Sequence, residues 1–366
     1  MNIDFIAIQK RYLQSKKEIF SRINKISSKA DYINGEYVSL FEKEMSKFMK
    51  CKYVIGVNSG FDALFLSLIA MGIGKGDEVI TVSNSYIATA NSIILAGAKP
   101  IFIDVKDDYN MNEELVERAI SKRTRAIMPV HLTGNPCKID RIYRIAKKHK
   151  LEIIEDAAQA IGAKYKNKMI GTWGKVGCFS MHPIKNLGVM GDGGFIVTNS
   201  KRLNNKLRLI KNHGHKNRDE IIDIGFNSRL DSFQAAIGHI FLKKMNKWNL
   251  RLQIIASKYR NNIKEPVIHP IIEKEAYAVY QNYIIRVSNR AKLQKYLARK
   301  KIETKIHYPI PIHMQKAYKD IGFNQTDLKQ TEKQSKNILS LPIYPELSDK
   351  MVDYVIKEVN SFYGNK

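Results

Sequence analysis

The chain has 366 residues, longer than one compact core ordinarily supports, and its 44% hydrophobic and 26% charged content is that of a soluble globular protein with one large and one smaller domain. A net charge of +26 attracts polyanions, but the basic residues run from the first helix to the last without a basic tail or an arginine–aromatic motif, so nucleic acid is not expected as a main ligand. No window approaches roughly eighteen uninterrupted apolar residues, and the start MNIDFIAIQKRYLQ lacks the basic-then-apolar layout of a signal peptide. The three cysteines, Cys51, Cys137 and Cys178, are too scattered for a disulfide framework or a zinc cluster. These features together lead us to expect a cytoplasmic protein with no membrane attachment and no metal.

Residues 1–30, with few glycines and no proline, read as a helical arm. Gly35 precedes a helix in which Phe41, Met45 and Phe48 share one apolar face. From Lys52 the pattern becomes strand, turn, helix, repeated. Residues 53–57 form a strand, Asn58-Ser59-Gly60 a turn, and Leu64, Leu68 and Met71 stripe the helix that follows. Strands at 78–82, 100–105 and 125–130 come next, with helices from about Tyr86, after Asn112 and from about Ile139. A fifth strand ends at Asp156. This alternation predicts an α/β fold whose mostly parallel sheet carries helices on both faces. A helical region at 229–262 leads into a smaller α+β segment: strand 281–287, helix 291–300, a proline-rich loop at 307–313 and a closing helix from about Ser348. The expected division is therefore 1–250 for the arm and large α/β domain, and 251–366 for the small C-terminal domain.

The stretch 151–198 carries the chemistry. An apolar run at 151–154 ends on Glu155 and Asp156, as a buried parallel strand does when it delivers carboxylates to the ligand-binding end of a sheet. A short strand at 176–180 is followed by Lys185 and by the turn Gly191-Asp192-Gly193-Gly194. A lysine in a loop between strands, paired with a strand-end aspartate, suits pyridoxal phosphate. The lysine holds that cofactor as a Schiff base, and the aspartate keeps its ring nitrogen protonated. The Asn58-Ser59-Gly60 turn opens a helix whose free N–H groups and positive dipole end would take a phosphate, to which Ser180 could add a hydroxyl. Alone, such a turn is more often a plain cap. Tyr86, at the same sheet edge, could stack on the cofactor ring or simply pack. None of the histidines forms a zinc motif, and neither a Gly-x-Ser-x-Gly elbow nor a Walker loop is present.

These residues lie in motifs that resemble the nucleotide-sugar aminotransferases of the DegT/StrS group over nearly the whole chain. The matching segments are GVNSGFDALFLSL (56–68), GKGDEVITVSNSYIATANSI (74–93), PVHLTGNP (129–136), EDAAQAIGA (155–163), CFSMHPIKNLGVMGDGG (178–194), GFNSRLDSFQAAIG (225–238) and KIHYPIPIHMQKAY (305–318). The resemblance implies a fold-type I, aspartate-aminotransferase-like homodimer with active sites at the subunit interface. It makes Lys185 the Schiff-base lysine, Asp156 the partner of the pyridine nitrogen, Gln159 the contact to the ring hydroxyl and Tyr86 the stacking ring. The backbone at Gly60 and Phe61, with Ser180, would hold the phosphate, and Asn227 would reach the phosphate of the neighbouring subunit's cofactor. His182, His307 and Tyr308 would face the sugar. Phe61 stands where many members have threonine, and His182 and Ile184 stand where an aromatic and a glycine are frequent.

The implied reaction moves an amino group, with glutamate as donor, to a keto sugar on a nucleotide diphosphate. The loop IHYPIPIHMQKAY and the segment LSLPIYP (339–345) look most like relatives that aminate C3 of dTDP-linked 3-keto-6-deoxyhexoses, with 4-keto sugars on dTDP, UDP or GDP as the alternative. Relatives that dehydrate sugars carry a histidine where this chain has Lys185. A non-catalytic, nucleic-acid-binding regulator would be free to lose Lys185 or Asp156, and both are present.

Overall fold

The computed structural model describes residues 1–319 and 327–364. Two helices, α1 (Ile8–Lys29) and α2 (Glu36–Met49), precede the alternating region. That region runs β1 (Tyr53–Val57), α3 (Gly60–Ala70), β2 (Glu78–Val82), α4 (Ala88–Leu95), β3 (Lys99–Ile103), β4 (Thr124–Ile127), α5 (Ile139–His149) and β5 (Glu152–Asp156). A small hairpin, β6 (Lys164–Tyr165) and β7 (Lys168–Met169), leads to β8 (Val176–Ser180) and β9 (Gly194–Thr198), followed by α6 (Lys201–Ile210), α7 (Ser232–Leu242) and α8 (Met245–Asn262).

Seven strands form one sheet in the order β1-β9-β8-β5-β4-β2-β3. All neighbours are parallel except the two pairs made by β9, which runs antiparallel to both β1 and β8. β2 and β9 are buried along their whole length, as strands covered on both faces must be. Consecutive residues divide between two cores. Ile153, Phe195 and Val197 pack with α2, α5 and α7, while Ile154 and Ile196 pack with α3 and α6.

The predicted elements are present with three changes. The helix expected after Asn112 is two short 3-10 turns, Glu113–Leu115 and Glu117–Ala119, because Ile120 is already extended and leaves no room for an ordinary helix. The helical region at 229–262 breaks at Lys243 and Lys244 into α7 and α8. The proline-rich loop contains a 3-10 turn, Ile312–Met314.

Beyond α8, β10 (Ala276–Tyr277) joins the β6–β7 hairpin, and β11 (Tyr283–Arg286) pairs antiparallel with β12 (Ile338–Leu341). A separate apolar cluster forms around them from Ile255, Tyr259, Leu293, Leu339 and Val355, and it takes in Ile3 and Ala7 from the start of the chain. Ile3 bridges Ile302 in parallel, so the first residues are tied to this smaller core. Of the segment 251–366, residues 320–326 and 365–366 lie outside the described residues. Among the described residues no helix is long and apolar enough to cross a membrane.

Candidate active site

A parallel sheet brings the carboxyl ends of its strands to one edge. Here that edge, with the start of the antiparallel β9, encloses a cavity of about 380 Å³. Gly60, Phe61, Tyr86, Asp156, Gln159, Ser180, His182, Lys185, His307 and Tyr308 all line it. Asn227 does not. It lies exposed beside Ser228, whose hydroxyl is held by Asp62 of α3.

Asp156 is buried at the end of β5, and burial raises the pKa of its carboxyl. Two donors oppose that shift. The Thr89 hydroxyl donates to Oδ2 at 2.7 Å and the Ala158 N–H to Oδ1 at 3.2 Å, while Ser85 Oγ lies 2.7 Å behind Thr89. Glu155, one residue earlier, faces the other side of the sheet and does not reach the cavity. Its oxygens accept the N–H groups of Gly171, Trp173 and Gly174, each at 2.7 Å, and lie 3.2 Å from His131 Nε2. The strand end thus presents one carboxylate to the site, where the sequence offered two.

Lys185 sits between β8 and β9. Its side chain is half-buried as a whole, but enough protein surrounds the amine for burial to bring its pKa down from 10.5 to about 8, against the opposing pull of Asp156. Its loop is fastened from outside the sheet. The carbonyl of Ile184 accepts from Gln281 Nε2 at 2.8 Å, that of Lys185 from Arg11 at 2.9 Å, and the Asn186 N–H donates to Gln281 Oε1 at 3.0 Å.

Opposite lies an anion-binding end. Ser59 caps α3, accepting the Asp62 N–H at 3.0 Å, so the N–H groups of Gly60 and Phe61 open the helix without intrahelical partners. A Cβ on residue 60 would fall 2.6 Å from the Ser180 Cβ, and one on residue 194 would fall 2.3 Å from the Ser59 carbonyl. Glycine at both positions lets β1, β8 and β9 close around this end, with the Ser180 side chain against Gly60.

The remaining wall comes from the loop at 307–313. The His307 Nδ1 lies 2.8 Å from Ser340 Oγ and its ring stacks on Phe5 at 5.6 Å. Burial, with the charges of Lys185 and Lys305, pushes the His307 pKa down to about 4, so the ring is neutral at ordinary pH. Tyr308 accepts from Gln159 Nε2 at 3.2 Å, and its ring lies 6.0 Å from that of the exposed Tyr86. His313 pins the loop to the end of β2: its N–H donates to Ser83 Oγ at 3.0 Å, and the Ile312 N–H donates to the Ser83 carbonyl, also at 3.0 Å.

Among the residues that the sequence did not point to as contributors are Thr89 and Ser85 beside Asp156, Asp192 on the cavity wall, and Gln281 and Arg11 on the lysine loop. Thr89 and Ser85 are spaced i, i+4 around Tyr86, which was the available signal. Arg11 offered none, since its partners lie far along the chain.

The residues present fit pyridoxal phosphate. A lysine of lowered basicity, a buried aspartate and a helix end with free N–H groups share one cavity, and the mostly parallel sheet that carries them is the one expected of a fold-type I, aspartate-aminotransferase-like enzyme. Residues 13–360 match the DegT/DnrJ/EryC1/StrS aminotransferase family, and the chain belongs to it. It is an aminotransferase with pyridoxal phosphate as cofactor. The chain is similar to the dTDP-3-amino-3,6-dideoxy-alpha-D-galactopyranose transaminase of Aneurinibacillus thermoaerophilus, 40% identical over 98% of this chain and 99% of that protein. It is also similar to a Geobacillus stearothermophilus protein named a pleiotropic regulatory protein, 39% identical over 99% of each. Among solved structures, Streptomyces venezuelae DesV in complex with a ketimine intermediate superposes with a TM-score of 0.97 at 35% identity, covering 100% of this chain and 99% of that one.

Because folded Lys185 holds its proton less tightly than the unfolded chain does, charging it costs stability below about pH 8, and that cost disappears as the pH rises from about 8 past 10.5. In the cofactor-free protein, acetylation of Lys185 followed by peptide mass spectrometry is expected to rise with a midpoint near pH 8. A midpoint near 10.5 would contradict the burial argument.

Proposed function

We propose that the protein transfers an amino group from glutamate to a nucleotide-linked keto-deoxysugar, best a dTDP-3-keto-6-deoxyhexose, and works in the cytoplasm as a homodimer with active sites at the subunit interface. The observation that carries this reading is the meeting of Lys185 and Asp156 in one cavity, with the lysine's basicity lowered by burial. Pyridoxal phosphate, when bound, accepts the electrons left on the substrate carbon after proton loss.

Lys185 Nζ would hold the cofactor, and as a neutral amine it would take and return the proton on the substrate carbon. The Asp156 carboxylate would keep a proton on the ring nitrogen. Gln159 has its Oε1 committed to the Thr133 N–H at 2.7 Å, so its Nε2 is the end that would reach the ring hydroxyl. The N–H groups of Gly60 and Phe61, with Ser180, would bind the phosphate, and Tyr86 would pack on the ring. The exposed Asn227 would serve the phosphate site of the neighbouring subunit.

The sugar is read by His182, His307 and Tyr308. A neutral His307, with Nδ1 committed to Ser340, offers Nε2 to a sugar hydroxyl. The C3 preference draws on the Aneurinibacillus relative, which is named for a 3-amino sugar, and on the loop wall formed by His307 and Tyr308.

Incubation with glutamate and each keto sugar, with the new amine located by NMR, is expected to give amination at C3. Amination at C4 alone would remove the C3 assignment while leaving the aminotransferase intact. For the dimer, Lys185→Ala and Asn227→Ala subunits are each expected to lose most activity, and mixing them to restore part of it, since one site of each hybrid would be complete. A fully active monomer in sedimentation analysis would reject the shared site.

A further inference from the structure

The loop between β8 and β9 has no sheet or helix of its own to hold the backbone at 184–186, and the donors that satisfy it come from far along the chain. One of them is unusual in its setting. Arg11 of α1 is buried, 4% exposed, and its Nη1 reaches the carbonyls of both Lys185, at 2.9 Å, and Asn186, at 3.3 Å. The guanidinium lies over the Trp248 ring of α8 at 5.1 Å. Its Nε lies 3.9 Å from the carboxylate of Glu346, in the segment that follows β12, and both side chains are 5% exposed. Neither Glu346 oxygen has a hydrogen-bond partner among the described residues, so Arg11 is the cation that balances that buried charge.

A buried arginine aimed at two consecutive carbonyls does more than fill space. Its planar guanidinium, laid over Trp248 and set near Glu346, fixes the direction of Nη1 as well as its distance from the two carbonyls. Through Trp248 and Glu346 the same side chain joins the first helix, α8 and the C-terminal segment to the lysine loop.

We propose that Arg11 is the positioning residue for Lys185, holding the backbone on which the lysine amine leaves the cofactor and returns to it in each turnover. This rests on Lys185 being the cofactor lysine. Gln281 braces the flanking Ile184 and Asn186, while Arg11 is the side chain that holds the carbonyl of Lys185 itself. Displacing that backbone by a fraction of its reach misaligns the amine without removing it.

The test compares Arg11→Lys and Arg11→Met in the full chain. Arg11→Lys keeps a positive charge opposite Glu346, but its ammonium ends one atom nearer the backbone than Nη1 and lacks the planar group that stacks on Trp248, so it falls short of the two carbonyls. Arg11→Met removes donor and charge together; if it does not fold, Arg11→Lys carries the test. Borohydride reduction and peptide mapping locate the cofactor, and thermal melting reports the fold. The rate at which cofactor-free protein regains its visible absorbance on adding pyridoxal phosphate reports how the amine is presented. For Arg11→Lys the adduct is expected on Lys185 with a melting temperature close to that of the parent. Capture rate and kcat are expected to fall on the order of 10- to 100-fold, with KM for the sugar little changed. Parent-like capture and kcat, with the adduct still on Lys185, overturn the positioning role alone. An adduct on another lysine overturns the assignment of Lys185 itself. A lowered melting temperature with unchanged capture assigns Arg11 to the fold and also overturns the proposal.

Discussion

Two opposed electrostatic demands meet at the carboxyl edge of the sheet. In the proposed reaction Lys185 has to be neutral to take a proton from carbon, and Asp156 has to remain ionised to keep one on a ring nitrogen. Burial serves the first demand and works against the second, because desolvation lowers the basicity of an amine and raises the pKa of a carboxyl. Hydrogen-bond donors on Asp156 oppose the effect of burial there, although its pKa still lies above the ordinary carboxylate value. Asp156 receives Thr89 and Ala158, while the amine of Lys185 keeps a shift from 10.5 to about 8, on the order of 3 kcal/mol against its charged form. A cationic ring nitrogen beside Asp156 would add to the stabilisation of its charge.

Strand register makes this arrangement possible. Asp156 pairs with Cys178 across β5 and β8, so Ser180 projects just beyond it at the same edge. Gly194 pairs both with Ser180 and with Val57, which draws the Ser59-Gly60 turn alongside. The antiparallel β9 is what allows this: entering the sheet from the edge where its neighbours end, it returns the lysine loop to the site directly. The aspartate and the turn that opens α3 are therefore set by backbone pairing, while the lysine loop that the pairing returns to this edge is held by Arg11 and Gln281. The wall at His307 and Tyr308 depends instead on packing between the sheet and the smaller core, through Ser83 with His313 and through Phe5.

Much of this was legible in the residues. Buried parallel strands announce themselves as apolar runs, and the strand–turn–helix rhythm fixed the sheet and the positions of Asp156, Lys185 and Gly60. The choice between Glu155 and Asp156 could not be made from adjacency, since it turns on which face of β5 each occupies; the carboxylate turned away holds the 171–174 loop. Thr89 was hidden because a threonine in a helix is commonplace until its hydroxyl is seen on Asp156. Arg11 was hidden because its carbonyl partners lie near residue 185, and no local pattern relates the two. Asn227 was named only by its motif, and the structure places it outside the cavity, exposed in the single chain.

In the proposed reaction the Lys185 amine moves the proton on the substrate carbon. Washout of the α-hydrogen of glutamate into D2O, followed by NMR without any sugar present, isolates that step. Washout is expected with the parent protein and is expected to be lost in Lys185→Ala, even when that variant is folded and saturated with pyridoxal phosphate. Washout by Lys185→Ala at the parent rate would contradict that role.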